Sequence, residues 1–574
     1  MSKGANPHFD AVVIGAGVTG MYMIYKLQNS GFTVRGYETG ADVGGTWYWN
    51  RYPGCRLDTE SYSYGYFFMK DIVPEWNWSE NFAGQPELLR YARYAADKMD
   101  IRKNIQFNTS VVSAEYDEEQ NVWRLGLDDG SSSTCTFLLT AVGLLSATRL
   151  PDIAGIESFK GISFHTSRWP ADPESDAEGR PIQFEGKRVG VVGTGATGVQ
   201  VIQHVARRAG ETYVFQRSPN WCTPLRNSPL APEEMEKIRD NRQDILAHVK
   251  TTPVGFIHHP VERNADDDTP EEREAFFERL YSTPGYGIWL SNYQDLMVNR
   301  KSNDYISEFV AKKIRERVKD PTVAEKLIPD HPFGSRRVPM ETNYYEVYNQ
   351  DNVHLVDIKE DPIECVTAEG IRTSSSQIDL DIIIYATGFN AITGALERID
   401  IRGKNGVRLT DMWDDGPVTY LGLQVRGFPN FFTLVGPHNG ASFCNIAVCG
   451  NLQVEWAVEM LEYFRRHGIN YVEAEAEAQE KWTAQVYEDF AKTLLLESDA
   501  WWLKIKHHPD GTVTKRATAY IGGGPAYRKI CDEVAREGYS GFELAEIRPG
   551  AAPRLVADRH APALPQDVPQ GAPL

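Results

Sequence analysis

The sequence predicts an α/β fold of two Rossmann-type units, the second inserted in the first, with a mostly helical insertion inside the second. Three observations carry this expectation. Apolar, strand-sized runs at 11–15 and 188–193 each pass straight into a GxGxxG turn and then an amphipathic segment. Each unit is followed, at a distance, by an alternating stretch that closes in an apolar run ending Ala-x-Gly, LLTAVG at 138–143 and IIIYATG at 382–388. Residues 224–330 break this pattern, with Glu, Lys and Arg at helical spacing and Pro229, Pro232, Pro253 and Pro270 as punctuation.

Taken in order, the first strand runs into Gly15-Ala16-Gly17-Val18-Thr19-Gly20, a helix follows to Asn29, and 33–38 reads as a second strand. This is the setting in which GxGxxG means a dinucleotide. Gly15 allows the tight turn, Gly17 lets backbone approach a pyrophosphate, and Gly20 lets helix and strand pack closely. The helix N-terminus then offers N–H groups and partial positive charge to phosphates. A meander at 115–143 turns at Asp128-Asp129-Gly130. The motif recurs at Gly193-Thr194-Gly195-Ala196-Thr197-Gly198, with a helix to about Arg208 and a strand at 212–216. The second meander, at 357–388, turns at Ala368-Glu369-Gly370.

The two units call for different ligands. Glu38 ends the second strand of the first unit, where a carboxylate accepts from ribose hydroxyls. The same offset after Gly198 falls on Gln216, with Arg217 next. An acid there would repel a 2′-phosphate, whereas an arginine pairs with it. The first unit therefore suits FAD and the second NADPH. The expected division is 8–145 and 387–545 for the FAD domain, 146–223 and 331–386 for the NADPH domain, and 224–330 for the helical insertion. Residues 546–574, rich in Pro and Ala, read as a disordered or surface-draped tail.

Composition narrows the function classes. The 574 residues hold 60 basic and 79 acidic side chains, a net charge of −19, which argues against a nucleic-acid groove or an anionic membrane surface. No apolar run approaches the roughly 18 residues of a membrane span. A strand begins by Ala11, leaving no room for a signal peptide, and the chain reads as cytoplasmic. Seven cysteines without a CxxC form no disulfide framework or zinc site; all, including the close pair Cys444 and Cys449, are expected as small core residues. The acidic stretch 266–274 reads as a solvated helix start, and no metal site is expected. The aromatic cluster in 44–58 (GGTWYWNRYPGCRLD) fits a wall for a ring system and a plain core equally well.

Motifs at three places go further. Phe159, Gly161, His165, Trp169 and Pro170 meet every defined position of FxGxxxHxxxW(P/D). Gly44, Gly45, Trp47, Tyr52, Pro53, Gly54 and Asp58 meet (A/G)GxWxxxx(F/Y)P(G/M)xxxD, and Ala386-Thr387-Gly388-Phe389 is a third shared motif. On these residues the chain, over about 8 to 545, resembles the Baeyer–Villiger monooxygenases, single-component class B flavoproteins. The resemblance implies that NADPH reduces FAD, that O₂ adds at flavin C4a, and that the peroxyflavin anion attacks a ketone to give an ester or lactone. It implies Arg337 as the catalytic arginine in Gly334-Ser335-Arg336-Arg337, with Asp58 holding it. Arg336 would face the NADPH phosphate, where many relatives carry Lys. Gly45, Thr46 and Trp47 would contact FAD, and Trp501 would close over NADP from a moving loop. His165 would couple the two domains without touching substrate. The stretch 440–446 would line the substrate pocket, with Phe443 and Ile446 as walls. Oxygenation of nitrogen or sulfur by a flavin-containing monooxygenase remains the alternative, with a non-catalytic NADPH/FAD sensor behind it.

Overall fold

The computed structural model describes residues 7–70, 72, 75–170, 182–548 and 553–556. The strand His8–Ile14 is parallel to Val34–Tyr37 on one side and to Ser132–Thr140 on the other. Ala11, Val12 and Val13 are fully buried, as a run covered on both faces must be. The helix Val18–Asn29 lies against this sheet and packs along Ile446–His467. The eight-stranded first sheet extends through Ile105–Gln106 at one edge and through Val122–Leu127, Val111–Asp117 and Asp400–Arg402 toward the other. Phe431–Thr433 joins it beside the last residues of Ser132–Thr140.

The second sheet has five parallel strands in the order Val353–Asp357, Glu211–Gln216, Arg188–Val192, Ile382–Tyr385, Ile162–His165. The chain leaves the first sheet after Thr140, completes the second, and returns to the first with Asp400–Arg402 and Phe431–Thr433. The second unit is thus inserted in the first.

The two halves finish differently. The first meander extends its parent sheet, because Ser132–Thr140 is nine residues long and its first part has a free edge for Val122–Leu127. Ile382–Tyr385 is flanked on both sides by Arg188–Val192 and Ile162–His165. The second meander, with both edges taken, forms a separate antiparallel sheet of Ile363–Val366, Gly370–Thr373 and Gln377–Asp379.

The insertion is helical, with Pro232–Asp240, Arg242–Thr251, Pro270–Ser282, Arg300–Arg317 and Pro321–Lys326. Thr269 caps Pro270–Ser282 by accepting from the Glu272 N–H, and Asp266 pairs with Lys301 at 2.9 Å. The acidic stretch is a capped helix start, and no cluster of metal-binding side chains occurs among the described residues. No helix of the described residues is long and apolar enough to cross a membrane. One expectation is corrected: Cys444 and Cys449 are joined by a disulfide. Asn445 caps the helix Ile446–His467, and that first turn brings the two cysteines to a Cα separation of 6.2 Å. Within the expected tail, Arg554–Leu555 pairs with Phe542–Glu546; residues 549–552 and 557–574 lie outside the described residues.

Candidate functional site

The two glycine turns are built alike. A Cβ on Gly15 would meet Ala141 O at 2.5 Å, and one on Gly20 would meet Gly15 O at 2.0 Å. In the second turn, Gly193 faces Ala386 O at 2.6 Å and Gly198 faces Gly193 O at 2.2 Å. The middle glycines are different. A Cβ on Gly17 would come no nearer than 3.5 Å, to Gly45, and one on Gly195 would meet nothing within 4 Å. The fold requires the outer glycines for its own packing, while the middle ones keep clear the space that a pyrophosphate needs at each helix N-terminus. The residues present therefore fit two dinucleotides.

A cavity of about 640 Å³ opens beside the first turn and is bordered by Gly15, Gly17, Glu38, Gly45, Thr46, Trp47, Asp58, Arg337 and Trp501. Glu38 is 6 % exposed, and its carboxylate accepts from the Ala16 N–H at 2.8 Å and the Gly40 N–H at 2.7 Å. Burial pushes its pKa up against those two bonds. Trp47, Trp49 and Tyr52 face the cavity, so the aromatic cluster is a wall. Tyr48 turns away, its hydroxyl accepting from the Ala41 N–H. Arg168 stacks over Trp49 at 4.5 Å.

Arg337 and Asp58 meet at the cavity wall. Arg337 Nη2 donates to Asp58 Oδ2 at 2.6 Å. Asp58 is 4 % exposed, and burial raises its pKa while Arg337 and Tyr286 pull it down. Burial also works against the Arg337 charge, but Tyr286 and Asp58 outweigh it and raise its pKa further. Gln200, from the helix Ala196–Val205, donates to Asp58 Oδ1 at 3.4 Å and accepts from Tyr52 at 2.8 Å. Asp58 thus joins segments of both units to the insertion, which supplies Tyr286 and the apolar neighbours Phe256 and Trp289. Sequence reasoning missed Tyr286 and Gln200, which stand outside every motif. Phe443 and Ile446 line the same cavity.

Gln216 and Arg217 diverge. Gln216 is 1 % exposed and donates to Lys326 O at 2.7 Å, tying the strand Glu211–Gln216 to the insertion. Arg217 faces a second cavity of about 620 Å³ shared with Lys326, Asp330 and Lys359. Burial lowers the Arg336 pKa, the Asp499 charge opposes this, and the nearby Arg217 charge lowers it further. Neither arginine has an ion-pair partner among the described residues, and Arg336 Nε is buried without a hydrogen bond. Two guanidiniums converging in this way suit a phosphate.

Trp501 packs on Trp502 at 5.2 Å between ring centroids, and Trp502 on Phe443 at 5.1 Å. Ser498, at the start of this segment, donates to Ser335 O at 2.9 Å, next to the two arginines. His165 lines neither of these two cavities: its Nδ1 accepts from the Ser167 N–H, so Nε2 carries the proton and donates to Gly388 O at 3.1 Å. Burial holds its pKa at about 4. His165 therefore ties Ile162–His165 to the turn after Ile382–Tyr385, and Trp169 packs on Phe164 at 4.4 Å.

The flavin-binding monooxygenase-like family matches residues 10–235. The chain is 60 % identical over 545 residues to the 2-oxo-Δ³-4,5,5-trimethylcyclopentenylacetyl-CoA monooxygenase of Pseudomonas putida, covering 95 % of this chain and 100 % of the relative. It is 39 % identical over 545 residues to the Baeyer–Villiger monooxygenase of Pseudooceanicola batsensis, covering 94 % and 97 %. A crystal structure of OTEMO in complex with FAD and NADP superposes with a TM-score of 0.90 at 60 % identity, covering 94 % of this chain and 100 % of that one. Likeness of this degree along nearly the whole length, with both glycine turns intact, means that this chain belongs to the Baeyer–Villiger monooxygenases.

Proposed function

We propose that the protein uses NADPH, FAD and O₂ to insert one oxygen atom next to a ketone carbonyl, giving an ester or lactone and water. The observation that carries this reading is Arg337, a permanent cation locked by Asp58 and Tyr286 into the wall of a largely apolar cavity. Gly15, Gly17, Gly20, Glu38, Gly45, Thr46 and Trp47 would hold FAD, in a domain of 8–145 and 387–545. Gly193, Gly195, Gly198 and Gln216 would form the NADPH turn and strand, in a domain of 146–223 and 331–386. Arg217 and Arg336 would pair with its 2′-phosphate, and Trp501 would cover it. FAD, when bound, supplies the redox chemistry, accepting hydride from NADPH and activating O₂.

The chain's own residues do the rest. A guanidinium does not lose its proton at working pH, so Arg337 presents positive charge to whatever negative charge develops on oxygen. Asp58 keeps it in place. Phe256, Trp289 and Phe443 keep water out of the cavity, where the same charge acts more strongly.

The test follows NADPH consumption and product identity in a ketone panel that includes the ring-ketone thioester for which the Pseudomonas putida relative is named. Ester or lactone formed in step with NADPH supports the reading. Hydrogen peroxide alone from the ketones, or oxides formed only from an amine and a thioether tested beside them, contradicts it.

A further inference from the structure

The helical insertion reaches the arginine through one residue, Tyr286. Gly285 before it adopts a φ of +72°, and a Cβ there would meet the Phe82 ring at 2.9 Å and Glu60 Oε1 at 3.0 Å. The backbone is thus pressed against the first unit, and the short helix Gly287–Leu290 begins there. The Tyr286 ring packs between Phe256, at 5.7 Å, and Trp289, at 5.5 Å. Its hydroxyl closes a triangle of hydrogen bonds. Arg337 Nε donates to it at 3.1 Å, it donates to Asp58 Oδ2 at 2.9 Å, and Arg337 Nη2 donates to the same Oδ2.

We propose that Tyr286 is a positioning residue for oxygen transfer: its hydroxyl fixes the rotation of the Arg337 guanidinium, leaving Nη1 at the cavity wall. This rests on the ketone-oxygenation reading above. A guanidinium bound only to Asp58 pivots about that single contact. Bound at Nε and Nη2 together, it cannot. Nη1 has no hydrogen-bond partner among the described residues, so its two N–H groups, with the second N–H of Nη2, are the donors left for chemistry. A displacement of about 1 Å costs up to about 10²-fold in rate. Burial holds the Tyr286 phenol well above its ordinary range, so it keeps its proton and keeps donating to Asp58. Its role is to orient the arginine, with no proton passed to substrate.

The test uses the full-length holoenzyme. Tyr286→Phe keeps the ring between Phe256 and Trp289 and removes a single oxygen. Three quantities are read: the anaerobic rate of flavin reduction by NADPH, the ester formed per NADPH, and the hydrogen peroxide formed per NADPH. The expected result is reduction within about twofold of the parent and an ester yield about tenfold lower, with peroxide accounting for the difference. Tyr286→His, which returns a polar ring atom to the same space, recovers part of the yield. A parent-like ester yield in Tyr286→Phe overturns the proposal and leaves the ketone-oxygenation reading standing. So does an equal slowing of reduction and ester formation, the mark of general damage to the site. A parent enzyme that makes no ester from any ketone overturns the underlying reading instead.

Discussion

Asp58 carries a charge in a place where charge is costly, at 4 % exposure, and only its donors make that tolerable. Removing it leaves Arg337 with the Tyr286 contact alone. Asp58→Ala is expected to lower ester formation less completely than loss of the arginine itself, as product analysis on the two variants would show. At the other cavity, Arg217 has no ion-pair partner among the described residues, so its substitution breaks no direct contact, although its charge acts on Asp499 and Arg336. Arg217→Ala should weaken NADPH about ten- to hundredfold, some 1.5–3 kcal/mol, and leave NADH almost unaffected. Steady-state kinetics with both cofactors decide it, and an unchanged ratio would contradict the assignment. Arg337 and Asp58 were legible in the sequence because each sits in a motif of fixed spacing. Tyr286 was not: its partner lies 51 residues away, and no periodicity links a tyrosine in a helical insertion to an arginine beyond it.

Elements make their own demands. In the first turn of Ala196–Val205, Gly198 has no room for a side chain, whereas Gly195 at its N-cap faces open space. Gly198→Ala should therefore cost folded protein. Gly195→Ala should fold and bind flavin with a raised KM for NADPH; melting temperature and kinetics separate the two, and equal melting points would contradict this account of the turn. The segment carrying Trp501 is tied to the arginines through Ser498 and to the cavity wall through Trp502 and Phe443. Trp501→Ala should keep FAD and divert NADPH toward hydrogen peroxide. An unchanged ratio of ester to peroxide would show that this segment does not seal the cavity. Strand–turn–helix units were readable from apolar runs and glycines. The separate sheet of the second meander was not, because it follows from both edges of Ile382–Tyr385 being occupied by strands distant in the chain.

Three histidines are buried where the neutral form is favoured. Burial holds His165, His331 and His438 at about 4, well below the roughly 6.5 of an unfolded chain. As pH falls below about 6.5 the unfolded state takes up protons first, so stability is lost progressively down to about pH 4, by up to about 1.4 kcal/mol per pH unit for each histidine. Melting temperatures from pH 8 to 5 should fall toward acid, with a shallower slope in His438→Asn; a flat profile would contradict this. The insertion of one unit in the other was legible from the order of motifs, but the contribution of residues 224–330 to the arginine site appears only when Asp58, Gln200, Tyr286 and Arg337 are brought together. On the proposed reading, the charge held there serves oxygen insertion and is not needed for hydride transfer to the flavin. Arg337→Ala holoenzyme, reduced anaerobically by NADPH and then mixed with O₂ and ketone in a stopped-flow instrument, tests this most directly. Reduction should proceed near the parent rate, ester formation should fall by ~10²–10³, and the NADPH consumed should appear as hydrogen peroxide. Ester formed at near-parent rates would contradict the account.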